Sequence, residues 1–151
     1  MEQRIAHFRE VCRLAEVKLT HQRLEIFREV ARAGDHPDAE TIYRRVREHL
    51  PVVSLDTVYR TLWLLKDLGL VTALGSHHER ARFDANLDHH HHFVCIDCGM
   101  TVDFYSDSFD RLEIPESVQS VGAVEVLQVE MRGRCHACAM KSERRKQENR
   151  R

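Results

Sequence analysis

Apolar positions along the chain follow two different periods. From the first residues, Ile5, Phe8, Val11, Cys12 and Ala15 recur every three to four positions, the spacing of a helix with one buried face, and predict a first helix over about 3 to 16. Thr20 stands where it can cap a second helix, with Leu24, Phe27, Val30 and Ala31 facing inward and Gly34 as its stop. His36-Pro37-Asp38 opens a third helix that carries Ala39, Ile42, Tyr43, Val46 and Leu50 on one face and ends at Pro51. Ser54 caps a fourth, Leu55 to Leu68, with Leu55, Val58, Leu62 and Leu65 inward and Gly69 as terminator. Next, Leu70 to Leu74 and Arg80 to Asp84 flank Gly75-Ser76-His77-His78-Glu79 and read as a β-hairpin. Helices followed by a small hairpin make a winged helix-turn-helix.

From His89 onward the period shortens to that of strands, over His92 to Cys95, Thr101 to Tyr105 and Val124 to Met131, with a helix around Ser106 to Leu112 or later. The expected architecture is therefore α+β: a winged-helix domain over 1–84, a hinge at 85–88, and a small second domain over 89–140. The polar tail, 141–151, either extends a short helix or frays.

A chain of 151 residues, 42% hydrophobic, can build one compact domain or two small ones, and small domains commonly need metals or partners to stay folded. No apolar run approaches the roughly 20 residues that span a bilayer. Met1-Glu2-Gln3-Arg4 lacks the basic-then-apolar build of a secretion signal. The expectation is a cytoplasmic protein with no membrane partner. Net charge is −1 but unevenly spread: residues 85–140 hold 3 basic and 9 acidic side chains, whereas 141–151 hold 6 and 2. The acidic stretch also contains five of the 11 histidines and four of the five cysteines. It suits cations better than phosphate, so any DNA contact must come from local patches.

Cys95-Ile96-Asp97-Cys98 and Cys135-His136-Ala137-Cys138 are two CxxC pairs separated by 36 residues. Reduced thiols at that spacing favour metal over disulfides, and two such knuckles deliver four thiolates to a tetrahedral zinc with little strain. Gly99 supplies the tight turn. Buried free cysteines and a redox dithiol are the competing readings. Cys12, on the apolar face of the first helix, reads as core. In the internal run His89-His90-His91-His92, alternate side chains of an extended segment share a face, so His90 and His92 can chelate one metal while His89 and His91 point away. A solvated polar run is the alternative. Asp84, Asp103 and His36 add donors, and three nitrogens with two carboxylates suit Fe(II), Mn(II) or Zn(II). His77-His78-Glu79 followed by Cys95 and Cys98 faintly resembles a zinc-deaminase signature. However, Val94 stands where that signature needs proline, and Cys135 and Cys138 would have no purpose. A catalytic role is not expected.

The fourth helix is the candidate recognition helix. Arginine can fork onto guanine, and tyrosine can pack on a thymine methyl or reach a phosphate. The expected DNA-contact set is Lys18, Arg23, Ser54, Thr57, Tyr59 and Arg60.

Taken together, Ser54-Leu55-Asp56-Thr57-Val58-Tyr59-Arg60-Thr61-Leu62, Arg82-Phe83-Asp84, the four histidines with Phe93-Val94-Cys95-x-x-Cys98-Gly99, Asp103-Phe104 and the final CxxC resemble the Fur family of metalloregulators over nearly 15–140. The resemblance implies a homodimer paired through the second domain and a palindromic, A/T-rich double-stranded DNA operator. It also implies structural zinc on Cys95, Cys98, Cys135 and Cys138, with a regulatory Fe(II) or Mn(II) on His36, Asp84, His90, His92 and Asp103. Metal would close the hinge and set the spacing of two recognition helices. Aspartate at both 84 and 103 resembles the peroxide-sensing branch, a repressor in which His36 or His90 would be oxidised. Regulators of iron uptake, which typically carry glutamate there, are the alternative, followed by regulators of zinc uptake. The resemblance would also set His89 and Asp110 in an auxiliary site, but the histidine that would complete it is replaced by Leu127, so that site is expected to be absent or weak. Asp56 stands where many relatives carry alanine, and a carboxylate near phosphates can alter operator preference.

Overall fold

The computed structural model describes residues 1–74 and 81–148. The expected hairpin turn at Gly75-Ser76-His77-His78-Glu79, with Arg80 and the His77-His78-Glu79 signature, lies outside the described residues. The chain divides into two compact units, Met1–Asp88 and His89–Arg151.

The first unit contains α1 (Glu2–Leu14), α2 (His21–Arg32), α3 (Ala39–Arg47), α4 (Leu55–Asp67), β1 (Thr72–Leu74) and β2 (Arg82–Asp84). Three helix starts are fixed by side-chain caps, Thr20 and Ser54 as expected and Asp38 in addition. The side-chain oxygens of Thr20, Asp38 and Ser54 accept from the backbone N–H groups of Arg23, Thr41 and Thr57 at 3.2, 2.8 and 3.1 Å, which satisfies donors that a helix otherwise leaves open. α1 stops two residues earlier than its apolar period suggests. Glu16 adopts φ +54, and the chain folds back with Val17 N–H on the Cys12 carbonyl at 2.9 Å. At the end of α4, Gly69 (φ +68) turns the chain so that Leu70 N–H reaches the Leu65 carbonyl at 2.9 Å. Leu70 and Val71 consequently enter the core rather than the strand expected from 70.

Phe8, Ile26, Ile42, Val46, Val58, Leu62 and Leu65 are buried in one cluster, with Phe8 stacked on Phe27 at 4.6 Å and Trp63 edge-on to Phe83 at 5.7 Å. β1 and β2 pair antiparallel with Ala73 opposite Phe83, so Phe83 is delivered to the helical core from a two-stranded sheet.

The second unit contains β3 (His91–Cys95), β4 (Thr101–Phe104), α5 (Asp107–Asp110), α6 (Glu116–Gln119), β5 (Glu130–Gly133) and α7 (His136–Glu148). The sheet order is β4-β3-β5, with β3 antiparallel to β4 and parallel to β5. The expected strand over Val124 to Met131 is corrected to Glu130–Gly133. β5 pairs with β3 only across His92 to Cys95, and the alternating valines before it, Val124 and Val126, are exposed. The expected helix at Ser106 to Leu112 shortens to one turn, and the charged tail begins as part of α7. Among the described residues no helix is long and apolar enough to cross a membrane.

Candidate metal centres

Cys95 closes β3 and Cys98 follows it in a tight knuckle. Gly99 at φ +70 donates its N–H to the Cys95 carbonyl, and Cys95 N–H returns to the Met100 carbonyl, both at 2.8 Å. Ile96 N–H to the Gly133 carbonyl, also 2.8 Å, ties the knuckle to the end of β5. Cys135 precedes α7 and Cys138 lies in its first turn. The four Sγ atoms all lie within 4.8 Å of one another, with Cys98 and Cys135 at 3.9 Å. A tetrahedron with zinc–sulfur bonds of about 2.3 Å has edges near ~3.8 Å, so the set fits such an ion.

The backbone N–H groups of Cys135 and Cys98 pull the Cys95 thiol down to about 6. Hydrogen bonds to Cys135 and then Cys98 push Cys138 up to about 12. Four thiols this close cannot all ionise unless a cation compensates them, which is the chemistry a thiolate-bound metal supplies.

β3 sorts the histidines as their alternation predicts. His90 and His92 bring their Nε2 atoms to 2.9 Å, each 3.5 Å from Asp103 Oδ1, because the register sets His92 directly opposite Asp103 on β4. Both histidines are buried. On the other face, His89 Nε2 and His91 Nε2 stand 2.9 and 3.2 Å from Asp110 Oδ1. These three donors also lie within 4.8 Å of one another. His91 is enclosed by Phe104 and Phe109, and its Nδ1 accepts from Val129 N–H at 3.3 Å, which leaves Nε2 as the atom turned to Asp110. The auxiliary cluster thus assembles although position 127 is leucine; His91 is the member that sequence reasoning did not assign. Its signal was the alternation itself, which sends two of four histidines to a second face.

In the first unit, His36 Nε2 lies 3.5 Å from Asp84 Oδ2, and both are buried. His36 has φ +46, a conformation histidine tolerates better than most residues. Its loop is fixed on all sides. Arg82 donates to the His36 carbonyl at 3.0 Å, Phe83 N–H to the Pro37 carbonyl at 3.1 Å, and Asp35 takes two hydrogen bonds from Arg45 at 3.2 and 2.7 Å. The Arg45 guanidinium holds the Asp35 carboxyl below its ordinary range.

Of the expected DNA contacts, Thr57, Arg23 and Arg60 line one groove of about 260 Å³ with Thr20 and Gln22. Arg23 donates to the Lys18 carbonyl. The Ser54 hydroxyl caps α4 and meets the Thr57 hydroxyl at 2.8 Å, and Tyr59 is exposed.

The model of the Ferric uptake regulator family matches residues 15–132. The peroxide-responsive repressor PerR of Staphylococcus epidermidis is 34% identical over 140 residues, covering 91% of this chain and 89% of that protein. The ferric uptake regulator of Vibrio cholerae, a solved structure, is 26% identical with a TM-score of 0.69 over 83% of this chain and 98% of its own. That of Helicobacter pylori shares the fold, with a TM-score of 0.75 over 91% of this chain and 93% of its own at 22% identity.

Proposed function

The chain belongs to the ferric uptake regulator family, and from that premise we propose that it is a homodimeric, metal-dependent repressor of transcription that senses peroxide. In this reading the first unit, as a winged helix, meets a palindromic A/T-rich operator through α4. Cys95, Cys98, Cys135 and Cys138 hold structural zinc. His36 and Asp84, with His90, His92 and Asp103, hold one regulatory Fe(II) or Mn(II). His89, His91 and Asp110 offer three donors to a further ion.

The observation that carries the reading is the donor set of the second unit: two buried imidazoles and one aspartate converging on β3 and β4. Its aspartate, Asp103, together with Asp84 resembles the peroxide-sensing branch. The kinship to PerR, 34% identical over nine-tenths of the chain, supports it further. Bound Fe(II) would supply the electron that breaks the O–O bond of hydrogen peroxide beside an imidazole, and over the whole reaction one peroxide oxygen would be added to the ring, which is the group oxidised, while the other leaves as water. The protein's part is to present His36 and His90 at that place, enclosed and fixed in orientation, so that oxidation falls on them and ends metal binding. With the metal lost, the geometry that favours the operator is lost too, as linkage requires. Mn(II) holds the same ligands without this chemistry.

The second reading is an iron-level sensor, favoured by the His89–Asp110 contact of 2.9 Å, since the four-histidine run is also similar to that of iron regulators. Peptide mass spectrometry after anaerobic Fe(II) loading and brief peroxide exposure separates the two. A gain of one oxygen on the peptides of His36 or His90, absent from a Mn(II)-loaded control and accompanied by release of the operator, is the expected result. Unmodified histidines would overturn peroxide sensing and leave the iron-level sensor.

A further inference from the structure

Asp56 and Arg60 lie one turn apart on α4 and form an ion pair of 2.9 Å, with side chains 72% and 76% exposed. An exposed pair of this kind contributes little to folding. Its position is more informative than its strength. Arg60 lines the groove shared with Arg23, Gln22 and Thr57, the face assigned to DNA. A surface that meets a polyanion gains from each cation and loses from each carboxylate. Asp56 sits in the first turn of α4, where the helix dipole stabilises its charge, and so places a fixed negative charge beside the single arginine of that helix.

We propose that Asp56 is a positioning residue for specificity: it presents the Arg60 guanidinium as a preset fork for O6 and N7 of a guanine in the major groove. This rests on the reading of α4 as the DNA-contacting helix. The carboxylate argues for a base edge over a phosphate as the target of Arg60. A phosphate is met by any flexible cation and is repelled by Asp56, whereas guanine is a neutral, planar pair of acceptors that rewards a fork held in one orientation. Asp56 thereby weakens attraction to duplex of any sequence and leaves the guanine contact intact, the repulsive element that specificity needs beside the attractive one.

The test selects bound duplexes from a library with randomised half-sites, using the full-length, zinc- and Mn(II)-loaded wild-type protein and the variants Arg60→Ala, Asp56→Ala and Asp56→Asn. The wild type is expected to select a G·C pair at a symmetric position that Arg60→Ala no longer selects. With Asp56→Ala, discrimination at that pair falls roughly two- to fivefold while affinity for random duplex rises several-fold. Asp56→Asn, which still accepts from the guanidinium through its amide oxygen, falls between. Since the pair is exposed, metal content stays at the wild-type value and the melting temperature falls by no more than a few degrees, the share of the helix-dipole contact. Unchanged discrimination by Asp56→Ala, or the absence of any pair that depends on Arg60, overturns the proposal alone. A loaded wild-type protein that retains no duplex overturns the regulator reading and the proposal together.

Discussion

His36 illustrates how a residue that looks isolated in the sequence is placed. Asp84 lies 48 positions away, yet the two stand 3.5 Å apart because β2 is stitched to the loop before α3 through Arg82, Phe83 and the Asp38–Arg82 bridge. Arg82 is the element of this arrangement that carries charge, and its half-buried hydrogen bond to the His36 carbonyl should contribute roughly 1–2 kcal/mol. Arg82→Ala is expected to lower unfolding free energy by about that amount in urea titration. It should also weaken Co(II) binding, read from the ligand-field bands of the His/Asp set, while the sulfur-to-Co(II) charge-transfer band of the cysteine set is unchanged. The candidate ligand types were legible in the sequence from residue chemistry and family resemblance; the reason His36 and Asp84 meet was not. A hydrogen bond from an arginine to a backbone carbonyl 46 residues away leaves no periodic signal. The same holds for Asp110, brought beneath His89 and His91 by the β3–β4 register and a single helical turn.

At the scale of elements, local rules carried the first unit and failed in part of the second. Helix starts at Thr20 and Ser54 were readable because a cap is a contact between residues three apart, whose energy does not depend on the rest of the fold, and Asp38 caps the third helix by the same contact. Asp38→Ala removes the hydrogen bond to Thr41 N–H and should cost about 1 kcal/mol, as a lower midpoint at unchanged slope in chemical denaturation. α3 is the helix to test because its nine residues are too few to be stable alone, so loss of its cap is felt by the loop that carries His36. The strand read over 124–131 was misplaced for the opposite reason. Alternating valines describe a surface that fits a pleat, but pairing needs a neighbour, and β3 offers β5 only His92 to Cys95. α7 was partly hidden as well, since its charged sequence carries little apolar period and its start is set by the second cysteine knuckle.

At the scale of the whole molecule, the two units hold together by different means. The hydrophobic cluster lies entirely between Phe8 and Ala85. In the second unit the buried residues among those described are Cys95, three histidines and Thr101, while Tyr105, Leu112, Val121 and Val126 are exposed. A sheet of three short strands over so little apolar surface buried within the single chain falls below what that chain's own hydrophobic burial can hold. Structural zinc, worth about 10–16 kcal/mol of apparent binding energy in small peptides, is of the size that such a unit lacks. Charge repulsion among the thiolates makes the dependence steeper: without a cation, ionisation of Cys95 raises the cost of ionising its neighbours. Removing metal from the reduced protein with a strong chelator should therefore split thermal unfolding into two steps. The second unit would melt at or below room temperature. The first, with α1 to α4, would keep its helical circular-dichroism signal and its transition within a few degrees of the metal-loaded value. Readdition of one equivalent of Zn(II) should restore the lost step before any Mn(II) effect is seen. A chelated protein that still unfolds in one unshifted transition would mean that the second unit is held by apolar contacts, and the four cysteines would lose their structural role.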